Sequence, residues 1–210
     1  MQLYNRDLPN YGVIEGELAD DTVAYLWECV EDSKKLNQNM NSELVGNISK
    51  SLMIEDKENI LSKILRDLIA RYQDAYGQHF RLMKTGTCEF KFELDRLWVN
   101  FQKQNEFNPT HDHAGAFSFV VWMKIPTNYE EQRELPISKN SDAPLAISNF
   151  EFCYTDILGN IRTYTYVMNS LAEGTIVFFP AELHHQVYPF YNCDEERISI
   201  SGNISINITG

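Results

Sequence analysis

The run Arg197-Ile-Ser-Ile-Ser-Gly-Asn-Ile-Ser-Ile-Asn-Ile-Thr209 alternates apolar and polar residues for thirteen positions, and its reading decides the fold. Ile198, Ile200, Ile204, Ile206 and Ile208 share one face with Gly202. Arg197, Ser199, Ser201, Asn203, Ser205, Asn207 and Thr209 share the other. Successive side chains of a strand point to opposite sides, so the run is one long strand with an apolar and a polar face. An arginine heading a row of Ser and Asn suits a wet interior better than a greasy one, the alternative being a surface arginine on an exposed strand face.

Other strands precede it. Phe90, Phe92 and Leu94 alternate, Leu97 to Phe101 continues strand-like, and Phe117 to Ile125 is an apolar run broken only by Ser118 and Lys124. Ala146 to Tyr154 alternates, a turn follows at Asp156 to Asn160, and Arg162 to Met168 returns. Gly174 opens a short strand that ends at Pro180. The polar stretch Thr127 to Ala143 reads as a mobile lid.

The first eighty-odd residues are helical instead. Val23, Leu26, Trp27 and Val30 mark a helix over Asp20 to Lys35, with Asp20 and Asp21 suited to its start. Ile60, Leu61, Ile64, Leu65, Leu68, Ile69 and Tyr72 keep one stripe of a second helix over Glu55 to Tyr76, which Gly77 suits to stop. Asn37 to Leu52 between them reads as a loop or weak helix. Both stripes need a sheet to cover. Helices followed by seven or eight short strands predict an α+β fold with a β-sandwich or barrel. The expectation is one domain over 1–210, a helical portion over 1–86 and a β core over 87–210.

Composition narrows the function. Of 210 residues, 43% are hydrophobic and 23% charged, which are ordinary globular values. The formal charge of -12 repels phosphate backbones and disfavours nucleic acid as the main partner. No apolar segment is long enough for a membrane span. Cys29, Cys88, Cys153 and Cys193 form no CxxC pair and read as reduced thiols, which suits a cytoplasmic protein. No GxGxxG, phosphate-binding loop or GxSxG nucleophile elbow is present.

Four of the five histidines fall in two groups. The first is Asn108-Pro-Thr-His-Asp-His-Ala-Gly115, and the second Phe179-Pro-Ala-Glu-Leu-His-His-Gln-Val-Tyr-Pro189. On a strand, His111 and His113 would point to one side and Asp112 to the other. Neutral imidazoles suit iron, zinc, copper or nickel, and the second group is the natural source of a third ligand. The bland alternative is a solvated turn beside a packed core histidine. His79, alone, reads as structural.

The spacing Gly174-x5-Pro180-x4-His185 resembles the second motif of cupin-type double-stranded β-helices, which selects His185 over His184. The first cupin motif wants a Glu where this chain has Phe117 and Ser118. A closer resemblance takes in Asn108 to His113, Phe178 to Pro189 and Glu196-Arg-Ile-Ser-Ile-Ser-Gly-Asn203. From about Trp98 to Ile206 the chain resembles iron(II)/2-oxoglutarate-dependent oxygenases of the prolyl 4-hydroxylase-like group. Its nearest branch there is uncharacterised and found in marine phages and bacteria, which would place a viral chain in the host cytoplasm. Leu44 to Leu52 with Glu55-Asp56 is similar to the helical lead-in of that branch.

The resemblance implies a double-stranded β-helix (jelly-roll). It implies Fe(II), 2-oxoglutarate and O2, and hydroxylation of a C–H bond with release of succinate and CO2. His111, His113 and His185 would be both the metal ligands and the catalytic centre. Arg197 and Ser199 would bind the distal carboxylate of 2-oxoglutarate. Apart from the resemblance, Asn100, on the strand before His111, reads either as pointing into the barrel to touch the same cosubstrate or as a strand-end Asn. The acceptor would be a peptide, a prolyl residue by analogy, or a small molecule. One departure stands out: the usual two-His, one-carboxylate triad has His113 at its Asp position, unless a bulge turns Asp112 inward. Two rivals remain. One is a cupin-like three-His enzyme without 2-oxoglutarate, and the other is a catalytically silent β-helix that binds or builds.

Overall fold

In the computed structural model, residues 2–4, 10–79, 89–140 and 146–209 are described. The proposed boundary at 86/87 and the thiol of Cys88 lie outside them. Two sheets pack face to face, with helices on the outside of the larger, which makes the fold a double-stranded β-helix. In chain order the elements are β1 (Ile14–Glu17), α1 (Asp20–Leu36), β2 (Ser51–Met53), α2 (Ile60–Tyr76), β3 (Glu89–Gln102), β4 (Asn108–His111) and β5 (Phe117–Lys124). They continue with α3 (Tyr129–Arg133), β6 (Phe150–Thr155), β7 (Ile161–Tyr166), β8 (Thr175–Pro180), β9 (His185–Val187) and β10 (Arg197–Thr209). The large sheet runs β1-β8-β5-β10-β3-β2, and the small one β4-β9-β6-β7.

The long alternating strand is β10, seated between β3 and β5. Its Ile198, Ile200 and Ile204 join Leu26, Val30, Leu61, Leu65 and Tyr72 in the core under the helices. Strand β5 explains its unbroken apolar run by being buried on both sides. Phe117, Phe119, Val121 and Met123 meet the helices. Val120 and Trp122 meet Phe150, Phe152, Met168 and Phe179 between the sheets. Gly202 interrupts the isoleucine row because a Cβ there would lie 2.7 Å from the Arg96 carbonyl and from the Phe119 ring.

A bulge in β3 shifts the phase of its alternation. Asn203 pairs with Arg96 but Ile204 with Leu94, so Asp95 has no opposite number. After the bulge Leu97, Val99 and Phe101 turn to the helices. The alternate set, Arg96, Trp98 and Asn100, lines a cavity on the other side.

Three expectations need correction. Helix α2 starts at Ile60 rather than Glu55, because Asn59 is left-handed (φ 56). The Asp56 carboxylate instead accepts from Ser62 N (2.8 Å) and Leu61 N (3.3 Å) and so covers donors of the first turn. The stretch 37–52 holds a 3₁₀ turn at Asn41–Glu43 and feeds β2, an edge strand on β3. Within the expected lid, 127–140 is built into the core: Thr127, Tyr129, Gln132 and Ser138 are buried. Gln132 donates to the Tyr191 carbonyl and accepts from its N–H, both at 2.9 Å. Residues 141–143 of that stretch lie outside the described residues. Strands β1, β4 and β9 are too short to leave a periodic signal.

Candidate active site

Strands β4 and β9 build the first half of the site. They pair antiparallel, with His111 directly opposite His185. β4 stops at His111, so strand alternation does not place His113. The loop after β4 does, because His113 N–H donates to the Ala181 carbonyl at 2.9 Å. Gly174, at φ 81, leads into β8, and the Pro180 turn carries the chain back to β9.

The three rings converge. One nitrogen from each of His111, His113 and His185 lies within 4.8 Å of the others. His111 Nδ1 sits 2.7 Å from the Pro109 carbonyl and His185 Nδ1 2.9 Å from the Leu183 carbonyl. A carbonyl only accepts, so in both rings Nδ1 carries the proton and Nε2 is left with a free lone pair. Backbone carbonyls commonly orient metal-binding imidazoles in this way. Burial lowers all three pKa values: His185 falls well below 6.5, His113 to about 4, and His111 in the same direction. All three are therefore neutral at pH 7, the form that ligates a metal. Phe150 stacks on His185, Phe179 meets its edge, and Trp98 packs on His113.

Two neighbours point elsewhere. His184 has an exposed side chain (56%), its Nε2 3.9 Å from Asp112 Oδ2. A bulge does exist in the β4–β9 ladder, but it falls between Asn108 and His111 and leaves Asp112 outside the cluster. Among the described residues the cluster is three histidines with no carboxylate.

The second half of the site is the polar face of β10. Arg197, Ser199, Ser201 and Asn100 line one cavity of about 230 Å³ together with the three histidines. Arg197 is 3% exposed. Its Nη2 donates to the Ser148 carbonyl (2.5 Å) and to Ser148 Oγ (2.9 Å), and its Nη1 reaches Gln102 Oε1 at 3.5 Å. Nε has no partner. Phe190 lies under the guanidinium at 5.0 Å. Among the described residues no carboxylate pairs with it, and desolvation lowers its pKa to about 10. A buried, unpaired cation is costly, and an anionic ligand is what offsets it. Asn100 accepts from Ser51 Oγ at 2.7 Å, so β2 holds it in place.

Trp122 also lines this cavity, whereas Tyr164 and Tyr166 line a separate cleft with Tyr11 and Tyr76. Sequence reading did not anticipate Ser148, Gln102 and Trp98 in the site. Ser148 gives no sequence signal, because it precedes β6 and meets Arg197 only through the fold. Trp98 and Gln102 could have been found by extending the alternation from Asn100. His79 packs against Tyr72 and Phe117 at the edge of that separate cleft, its Nε2 2.7 Å from the Ala116 carbonyl.

The fold has relatives among solved structures. A prolyl-4-hydroxylase from Pseudomonas putida aligns over 93% of this chain and 92% of its own, at 13% identity and a TM-score of 0.53. A prolyl hydroxylase from Trichoplax adhaerens, solved with a hypoxia inducible factor peptide fragment, aligns over 94% and 82%, at 10% identity and a TM-score of 0.53. At such identities the likeness is one of fold. No curated protein matches the chain. A family model for 2OG-Fe(II) oxygenases matches residues 96–203, just over half of the chain, from the β3 bulge through the polar face of β10. The chain therefore belongs to the 2OG-Fe(II) oxygenase family.

Proposed function

We propose that the chain hydroxylates a C–H bond of a peptidyl acceptor, a prolyl residue, with release of succinate and CO2. The family brings with it Fe(II), 2-oxoglutarate and O2, and the residues present fit that set. His111, His113 and His185 would hold iron through Nε2 of the first and last rings and a nitrogen of His113. Arg197 would bind the distal carboxylate of 2-oxoglutarate, with Ser199 beside it and Asn100 along the same wall. The observation that carries the reading is the buried, unpaired guanidinium in the same cavity as three neutral imidazoles. The bound metal supplies oxygen activation, in which 2-oxoglutarate and the C–H bond each give up two electrons and the two atoms of O2 end in succinate and the new hydroxyl.

The chain's own part is binding, orientation and exclusion of water. Pro109 and Leu183 carbonyls fix two imidazoles. Phe150, Phe179 and Trp98 keep the ligands dry. Support for a peptidyl acceptor comes from the Trichoplax adhaerens structure, which holds a peptide on a similar fold. Anaerobic titration of the Fe(II)-loaded chain with 2-oxoglutarate tests the cosubstrate through the weak visible charge-transfer band of the chelate. Succinate release stimulated by proline-containing peptides tests the acceptor. His113 in place of a carboxylate favours one rival, a three-His dioxygenase that takes no 2-oxoglutarate. That rival would bind iron, show no such band and release no succinate.

A further inference from the structure

Ser148 meets Arg197 with both its backbone and its side chain. It is 0% exposed and sits at φ 62, a left-handed conformation that strains a residue with a Cβ. The turn, closed by Asn149 N–H to the Ala146 carbonyl at 3.0 Å, places Ser148 at its third position, where a positive φ occurs and glycine or asparagine is the usual residue. Two contacts hold the conformation: Ser148 N–H donates to the Pro189 carbonyl at 3.0 Å, and Oγ lies 3.2 Å from Thr127 Oγ1. The result is that the carbonyl and the hydroxyl of one residue converge on one nitrogen, Nη2 of Arg197.

That convergence has a chemical consequence. A guanidinium carries five N–H donors and no acceptor. Ser148 offers acceptors for both protons of Nη2. Nε is left without a partner and Nη1 with a distant one, Gln102 Oε1 at 3.5 Å. The protons left for a ligand are thus those of Nε and Nη1. The anchor also reaches the metal side. Ser148 lies two residues before β6, whose Phe152 pairs with His185, and its N–H is tied to the chain just after β9.

We propose that Ser148 is the positioning residue of the cosubstrate site. It clamps Nη2 and so sets which edge of Arg197 meets the carboxylate of 2-oxoglutarate. The inference rests on the reading that Arg197 binds that carboxylate. A strained, buried residue holding a functional group is a known way of pre-organising a site, and here the strain is observed rather than inferred from function.

The test uses the iron-loaded full chain, with Ser148→Ala, Ser148→Gly and Arg197→Ala, alone and combined. Calorimetry reads the Kd for 2-oxoglutarate and for the metal, and thermal melts read stability. Ser148→Ala should weaken 2-oxoglutarate about tenfold, the low end for one hydrogen bond to a charged group, with metal affinity unchanged. Ser148→Gly should weaken it at least as much, although glycine relieves the strain at φ 62 and melts no lower than the alanine variant. Adding Ser148→Ala to Arg197→Ala should weaken 2-oxoglutarate no further. If affinity instead follows stability, with glycine better than alanine in both, the role is structural and the inference fails. Weakened binding in Arg197→Ala beside normal binding in both Ser148 variants overturns this inference alone. Normal binding in Arg197→Ala overturns the reading of the site, and this inference with it.

Discussion

His111 and His185 face each other as directly paired residues of β4 and β9, their ring centroids 4.3 Å apart. Each ring has its Nδ1 hydrogen-bonded to the carbonyl two residues earlier, Pro109 in one case and Leu183 in the other. The pair is thus pre-set to present Nε2 to a common point, and His113 completes the set from the loop beyond.

Metal affinity should separate the two adjacent histidines. His185→Ala removes a buried ligand and should lower Fe(II) or Zn(II) affinity by more than about 100-fold, since loss of a supporting partner alone costs 10–100-fold. His184→Ala removes an exposed ring and should leave affinity within about twofold. Equilibrium dialysis against a chelator, read by elemental analysis, decides it. Equal loss in both variants would sink the ligand assignment.

Arg197→Ala should weaken 2-oxoglutarate binding by about 30-fold or more, because truncating one partner of a buried charged pair costs roughly 2–5 kcal/mol. Arg197→Lys should recover only part, since an ammonium cannot copy the planar array of guanidinium donors. Metal binding should survive both. Calorimetry on the iron-loaded protein reads all three.

The metal-free chain should lose stability in acid. Burial depresses the pKa of His185, His113 and His111 in the native state. In the unfolded chain the same rings titrate near about 6.5. Below that value the unfolded state binds protons that the native state refuses, so stability falls as pH falls through about 6.5 toward 4. Melting at pH 7.5 and 5.0 should show a lower Tm at pH 5.0. Replacing the three rings with Asn should flatten the difference. An unchanged slope in that variant would show that the acid sensitivity comes from other groups.

Gln132 should matter to stability rather than to gating. Gln132→Ala leaves the N–H and the carbonyl of half-buried Tyr191 without their partner, a loss of about 0.5–1.5 kcal/mol for each bond. Denaturant unfolding measures it. Amide exchange around Tyr129 to Gln132 should be slow in the unmodified chain and should quicken in the variant. Fast exchange in the unmodified chain would restore the picture of a lid.

Period and chemistry together made much of this protein legible before any fold was known. A strict period of two along Arg197 to Thr209 shows a strand with one wet face, because side-chain direction in a strand is set by the local backbone alone. The stripes of α1 and α2 are legible for the same reason. The resemblance of the Gly174-to-His185 spacing to a cupin motif, rather than any local propensity, set His185 apart from its neighbour His184. Tertiary structure decided what depends on partners distant in sequence. The β3 bulge at Asp95 exists only against β10. His113 turns inward through a bond to Ala181, not through strand alternation. Gln132 makes a polar segment part of the core by meeting Tyr191. Ser148 holds Arg197 from 49 residues away. Each of these is a contact between segments that chain-local propensity does not encode, so the packing of the two sheets had to bring them together.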